Sequence, residues 1–228
     1  MAKHDRCSAL ARTIAAFFDL DRTLLGVSSG TLWAKHELLS GNISPKQFGR
    51  VAVWNVLYHL SLIDIETAFK EAVAHYRGRR YEDLEHETRR WFLREVALHL
   101  RPGASRALDE HREQEHHLVL LTSASAFASR VAVDTWGLDD FLSNDFPIDA
   151  DGRLDGTFIS PLCYGHGKVE RARAWATERG IDLADCYFYS DSLTDFPMLD
   201  AVGNPRVVAP DPRLRRAAKK RRWPILQW

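Results

Sequence analysis

The chain has 228 residues, 45% of them hydrophobic and 11% aromatic, a composition that supports a sizeable core and excludes a disordered chain. Thirty-one basic and thirty-one acidic residues cancel, so no global field points to nucleic acid as a partner. Three scattered cysteines (Cys7, Cys163, Cys186) make neither a disulfide framework nor a paired metal site, and with no signal-type or transmembrane apolar run a cytoplasmic protein is expected.

The first element is the apolar run Ala15-Ala16-Phe17-Phe18, which stops at two aspartates, Asp19 and Asp21, followed by Thr23, Leu24 and Leu25. An apolar run bounded by a polar switch predicts a strand buried on both faces. Ligands in open α/β sheets bind outside the carboxyl ends of the strands, which places both aspartates at a site. Two carboxylates there repel unless a cation or a proton separates them. Residues 26–30 are small and read as a hinge. Helical patterning then holds to about residue 100. It comprises a helix over residues 31–39 stopped at Gly41-Asn42, one opened by Ser44 as N-cap and running to His59, one over 64–76, and one over 81–100 broken by Arg101-Pro102-Gly103. No convincing strand falls between Leu24 and Leu118. The aromatics of this insert (Trp33, Phe48, Trp54, Tyr58, Phe69, Tyr76, Trp91, Phe92) are expected to be its core.

From residue 104 strand and helix alternate. A helix over 104–116 precedes a buried strand, His117 onward, that ends at Ser123-Ala124-Ser125; a helix over 127–136 is closed by Gly137. Asp151-Gly152 between alternating residues is a hairpin signal. Gly165-His166-Gly167 leads into a helix over 168–179, and a strand over 186–190 ends in Asp191 and Asp195. A short helix over 196–201, a last strand over 206–209 and a closing helix over 211–222 complete the chain. The closing helix carries a basic run from Arg213 to Arg222 that reads as a solvated face, with peripheral contact to an anionic membrane as the alternative. This alternation predicts an α/β fold with a mostly parallel sheet covered by helices.

Three buried strands thus end in polar clusters: Asp19 with Asp21, Ser123 with Ser125, and Asp191 with Asp195. Lys168 opens a helix between the last two. The carboxylates suit Mg²⁺, a hard cation that takes oxygen ligands. A hydroxyl, backbone N–H groups and an ammonium suit the oxygens of a phosphoryl group. One carboxylate would attack phosphorus, and its neighbour would carry the leaving-group proton.

The block Phe-Phe-Asp-Leu-Asp-Arg-Thr-Leu-Leu resembles the first motif of the haloacid dehalogenase superfamily phosphatases. Leu-Leu-Thr-Ser-Ala-Ser, Gly-His-Gly-Lys and Tyr-Ser-Asp-Ser-Leu-Thr-Asp resemble the second, third and fourth, in the right order. The helical insert resembles the C1 cap of subfamily IB, the phosphoserine phosphatase-like group. The resemblance implies a Rossmann-like parallel-sheet core from residues 1–26 and 102–228, with an all-helical C1 cap of residues 27–101 inserted after the first strand. It implies a Mg²⁺-dependent phosphatase that hydrolyses a small phosphomonoester through a phospho-aspartate. Asp19 would be the nucleophile and a metal ligand. Asp21 would be the general acid/base and would ligate the metal through its backbone carbonyl. Ser123 and the N–H of Ala124 would hold the phosphoryl oxygens, with Thr122 the less well aligned alternative. Lys168 would neutralise the aspartate and phosphate charges, Asp191 would bind the metal, and Asp195 would orient that shell or the lysine.

Two positions depart from the family pattern. Arg22 stands where glycine, serine or asparagine is commoner, and either lines the entrance or points to solvent. Ser28 stands nine residues after the nucleophile, where the phosphoserine enzymes carry a glutamate for the substrate amino group; phosphoserine is therefore not the expected substrate. His166 is a further candidate for substrate contact. A phosphotransferase or a lipid-phosphate phosphatase would use the same site. A non-catalytic phospho-acceptor of the receiver type is the remaining alternative, but receivers lack both the paired aspartates of the first strand and so large an insert.

Overall fold

Ala15, Ala16, Phe17 and Phe18 are all fully buried and form β1 (Ala15–Phe18) at the middle of the molecule. In the computed structural model, which describes residues 14–49 and 65–228, β1 is flanked by parallel neighbours on both sides. With β2 (His117–Ser125), β3 (Asp140–Asn144), β4 (Tyr187–Ser190), β5 (Asn204–Val208) and β6 (Ile225–Leu226) it makes a six-stranded sheet. Every pairing is parallel, in the order β3-β2-β1-β4-β5-β6. Phe18 pairs with Leu120 and with Tyr189, so β1 and β4 end side by side while β2 runs on beyond them to Ser125. The strand order reverses between β1 and β4, and that switch point is where an open α/β sheet leaves a crevice for ligand.

Alternation along β1 sends its residues to two cores. Ala15 and Phe17 pack with Val119, Leu121, Phe188 and the inner face of α6 (His166–Glu178), including Val169, Ala172 and Trp175. Ala16 and Phe18 pack with Leu118, Leu120, the inner face of α4 (Pro102–Glu113) and Val131 and Ala132 of α5 (Ala126–Trp136). α7 (Phe196–Ala201) and α8 (Pro212–Arg221) cover β4 and β5. Ser125 caps α5 by accepting from the Ala128 N–H, and Asp211 caps α8 by accepting from the Arg213 and Leu214 N–H groups.

Between β1 and α4 the chain makes the helical insert: α1 (Ser29–Leu39), α2 (Ile65–Ala74) and α3 (Tyr81–Trp91), the last running on through a wider turn, Phe92–Val96, and a tight one, Ala97–His99. Its two stems are laced together at the sheet edge. The Gly26 N–H donates to the His99 carbonyl, the Arg101 N–H to the Leu24 carbonyl, and the Arg101 guanidinium to the Leu25 carbonyl. The expected α/β sheet with a helical insert after its first strand is therefore what the chain forms.

Several local expectations are corrected. β3 and β6 are strands that periodicity did not show, because one is an edge-side segment rich in Asp, Ser and Asn and the other has two residues. The helical run from Tyr81 stops at His99, ahead of Arg101-Pro102-Gly103 as expected, but the next helix, α4, starts at Pro102 itself and not at residue 104, the missing N–H lying in the first turn where no helical bond is required. The Asp151-Gly152 turn is flanked by one antiparallel bridge, Ile148 with Leu154, rather than a strand pair. Of the helix expected from Ser44, residues 45–49 are helical; its continuation through Trp54, Tyr58 and His59 lies outside the described residues.

Candidate active site

The residues that leave β1 are bent at once into a wide turn, in which the Leu24 N–H donates to the Asp19 carbonyl and the Leu25 N–H to the Leu20 carbonyl. Arg22 makes the bend with a left-handed φ of 59°, a conformation that glycine and asparagine adopt at lower cost, which accounts for their being commoner at this position. The turn separates the two aspartates. Asp19 stays in the sheet crevice and is buried. Asp21 swings under the start of α1, where its Oδ1 accepts from the Ser29 N–H at 2.8 Å. The positive end of that helix therefore faces the Asp21 carboxylate.

Lys168 joins the third cluster to Asp19. It is fully buried on the first turn of α6, and its Nζ donates to Asp19 Oδ1 at 2.8 Å and to Asp195 Oδ2 at 2.7 Å. The placement depends on a glycine: a Cβ on Gly167 would collide with the Leu162 carbonyl oxygen, so only glycine brings α6 this close to the preceding loop. Asp195 precedes α7 without capping it, and its Oδ2 also accepts from Ser190 Oγ at 2.8 Å. Asp191, at the end of β4, accepts from Thr23 Oγ1 at 3.4 Å and donates its own N–H back to that oxygen at 3.1 Å. Thr23 thus ties the first strand end to the fourth.

Ser123, near the end of β2, lines a cavity together with Asp21. Its hydroxyl donates to the Cys163 carbonyl at 2.8 Å, and Asn144 closes the loop by donating to the Ser123 carbonyl at 2.7 Å and accepting from the Cys163 N–H at 2.8 Å. Ala124 and Ser125 line the same cavity, whereas Thr122 is buried and its hydroxyl accepts from the Ala124 N–H at 3.1 Å. The Ala124 amide is therefore turned toward Thr122 in this structure. Ser28 caps α1 by accepting from the Thr31 N–H, and His166 is exposed and does not line the cavity. Thr23, Ser190, Asn144 and the Ser29 amide support the site and were not singled out from the sequence. Serines, threonines and asparagines are common at strand ends, and only the register shows which of them meet.

Electrostatics set the site's requirement. Burial pushes Asp19 up to about 7 against the pull of the Lys168 ammonium. Burial, with Asp19 and Asp195 adding to it, pushes Asp191 up to about 8, and the Arg22 guanidinium opposes that rise. Asp21 is also raised by burial, held back by the Ser29 and Gly30 amides. Lys168 is raised by its two carboxylate partners despite its own burial. One ammonium among these buried acids leaves a deficit of positive charge, and an all-oxygen donor set fits a hard divalent cation such as Mg²⁺. A second acidic group in the insert, His36, Glu37 and Glu87, has its ligating atoms within 4.8 Å, but Arg79 supplies its positive charge at 2.6 Å from Glu87.

The sign of the pH dependence follows. Asp19 and Asp191 titrate near 7 and 8 in the folded chain but near 3.9 when unfolded, so between those values the folded state holds the extra protons. Their contribution to metal-free stability is present at low pH and lost as pH rises through 7 and 8. At one fixed concentration, added Mg²⁺ will therefore raise the unfolding temperature more at pH 8.5 than at pH 6, by several degrees where that concentration is a hundredfold excess over the Kd at pH 8.5 and linkage is worth about 2.7 kcal/mol. Thermal unfolding with and without Mg²⁺ at the two pH values checks this; equal shifts would remove Asp19 and Asp191 from the cation's ligands, and no shift at either pH would sink the cation assignment.

Residues 16–200 match the haloacid dehalogenase-like hydrolase family, and the chain belongs to it. A histidinol-phosphatase of Neisseria meningitidis serogroup C is 26% identical over 217 residues, 93% of this chain and 98% of that one. A protein of unknown function from Bordetella pertussis Tohama I has a solved structure that matches with a TM-score of 0.84 at 27% identity, over 94% of this chain and 98% of that one. A phosphoserine phosphatase solved as its phospho-aspartyl intermediate analogue shares the fold, with a TM-score of 0.67 at 18% identity over 94% of this chain and 92% of that one. The family is one of hydrolases, and two of these relatives are named as phosphatases. Among the described residues no helix is long and apolar enough to cross a membrane.

Proposed function

We propose that this chain hydrolyses a small phosphate ester through a phospho-aspartate formed on Asp19, with a core of residues 1–26 and 102–228 and a cap of residues 27–101. The observation that carries this reading is the Asp19–Lys168–Asp195 chain of contacts at 2.7–2.8 Å, placed at the sheet's switch point beside Asp191. Lys168, anchored by Asp195, orients the Asp19 carboxylate and offsets the charge that accumulates when a phosphoryl dianion approaches it. Asp19 and Asp191, with the Asp21 carbonyl, would hold Mg²⁺, which when bound supplies the positive charge the buried acids lack.

The chemistry follows in two halves. An Asp19 oxygen forms a bond to phosphorus while the ester P–O bond breaks, and Asp21 gives its proton to the departing alcohol oxygen. Water then attacks the phosphorus of the acyl phosphate, Asp21 takes the water's proton, and Asp19 is released with inorganic phosphate. A carboxyl raised by burial and set under a helix N-terminus is suited to both proton positions. The Ser123 hydroxyl, which donates to the Cys163 carbonyl in the free site, would turn its one O–H to a phosphoryl oxygen when the ester binds.

The test uses the leaving group. Asp21→Asn will lower kcat/KM for an alkyl phosphate by about 10²–10⁴-fold, the usual worth of a positioned acid. The loss will be much smaller for 4-nitrophenyl phosphate, whose phenolate leaves without a proton. Steady-state kinetics on the two esters decide it, and equal losses would remove Asp21 from the acid's role.

A further inference from the structure

The cavity that begins at Asp21 and Ser123 has a volume of about 380 Å³ and continues into the insert. Of the insert's aromatics expected to be its core, Trp91 and Phe92 are buried there with Trp33 packed against them, but Trp33, Phe69, Tyr76 and Trp91 also line the cavity, facing Phe127 and Phe146. Its charge is one-sided. Asp21, Glu37 and Glu71 line it, and no lysine or arginine is among its described lining residues.

Glu37 is the buried member of that set, 1% exposed, on the last turn of α1. Its Oε2 accepts from the Tyr76 hydroxyl at 3.1 Å and its Oε1 from Asn42 Nδ2 at 2.9 Å. Trp33 Nε1 donates to the Tyr76 oxygen at 2.7 Å, which fixes the two rings around the carboxylate. Arg79 lies 3.8 Å from Glu37 but makes its short contact, 2.6 Å, with Glu87. A carboxylate offers about four acceptor positions, and these two neutral donors leave capacity for another. The family's substrate-binding glutamate is replaced by Ser28, which caps α1; Glu37 lies nine residues further along that helix, about 13 Å at 1.5 Å per residue.

We propose that Glu37, framed by Trp33 and Tyr76, selects phosphomonoesters whose alcohol carries an apolar or aromatic body and a distal positive charge, and no carboxylate. The inference rests on the phosphatase reading above. A desolvated carboxylate between aromatic faces attracts a cation through a charge-assisted hydrogen bond and through the rings themselves. An alcohol bearing its own carboxylate would lose water against an acidic wall in which no described lining residue is a lysine or arginine. The distance from Ser28 to Glu37 favours an alcohol longer than serine.

Four esters test this with Mg²⁺ present: 3-[4-(aminomethyl)phenyl]propyl phosphate, 3-(4-methylphenyl)propyl phosphate (the same body without the distal ammonium), L-phosphoserine and 4-nitrophenyl phosphate. The wild type is expected to prefer the first over the second by about 10–100-fold in kcat/KM, carried by KM, the worth of one hydrogen bond to a charged group. Phosphoserine is expected to be the poorest of the three alkyl esters. Glu37→Gln is expected to reduce the preference for the ammonium ester to about threefold or less, with folding checked by circular dichroism. A wild-type ratio near one, a ratio that survives in folded Glu37→Gln, or phosphoserine as the best ester would overturn the proposal. The wild-type ratio decides the matter even where the variant does not fold. With 4-nitrophenyl phosphate turned over, each of those results leaves the phosphatase reading standing; no turnover of any ester overturns both.

Discussion

Asp19→Asn will reduce Mg²⁺-dependent phosphate release by about 10⁴-fold or more, the scale seen when a covalent nucleophile is removed, equivalent to about 5.5 kcal/mol of barrier. An amide cannot form the acyl phosphate, and nothing else at the switch point replaces it: Asp195 is committed to Lys168 and Ser190, and Asp191 is held by Thr23. The fold will survive. Lys168 keeps its 2.7 Å contact with Asp195, and the substitution removes one of the carboxylates that crowd Asp191, so stability will stay within about 1 kcal/mol of the wild type. Released phosphate measured beside a thermal melt checks both halves. Turnover retained by a folded variant would remove Asp19 from the chemistry.

Lys168→Met will have the largest effect on stability, about 3–5 kcal/mol, because it strips the ammonium from buried acids on both sides while leaving its volume nearly filled. Activity will be lost with it, since the Asp19 carboxylate then has no fixed orientation. Adding Asp195→Asn to that variant will recover part of the stability by removing one of the stranded charges, but none of the activity. Denaturant unfolding of the single and double variants reads this as a coupling energy. A loss of under about 1 kcal/mol in the single variant would mean that water, and not the ammonium, solvates these acids.

Much of this was legible in the residues. The abrupt ends of three apolar runs at Asp19, Ser123 and Asp191 marked strand ends, and parallel α/β connectivity brings such ends to one edge whatever the intervening helices do. Lys168 was legible for the same reason, as a cation opening a helix between two of those strands. The elements that escaped were those whose residues do not advertise their state. β3 is an edge-side strand rich in polar residues, and β6 is two residues held by β5.

The sequence by itself determined the sheet, the helical insert after its first strand and the identity of the acids at the strand ends, because hydrophobic period and strand-end polarity are local properties. Only the tertiary structure decided how those acids divide. The left-handed Arg22 turn carries Asp21 to the N-terminus of α1 while Asp19 stays with Lys168, and Gly167 lets α6 approach closely enough for that contact. It also decided that the insert's aromatics surround a cavity with Glu37 in its wall, because whether a face closes on itself or on a void depends on what packs opposite it.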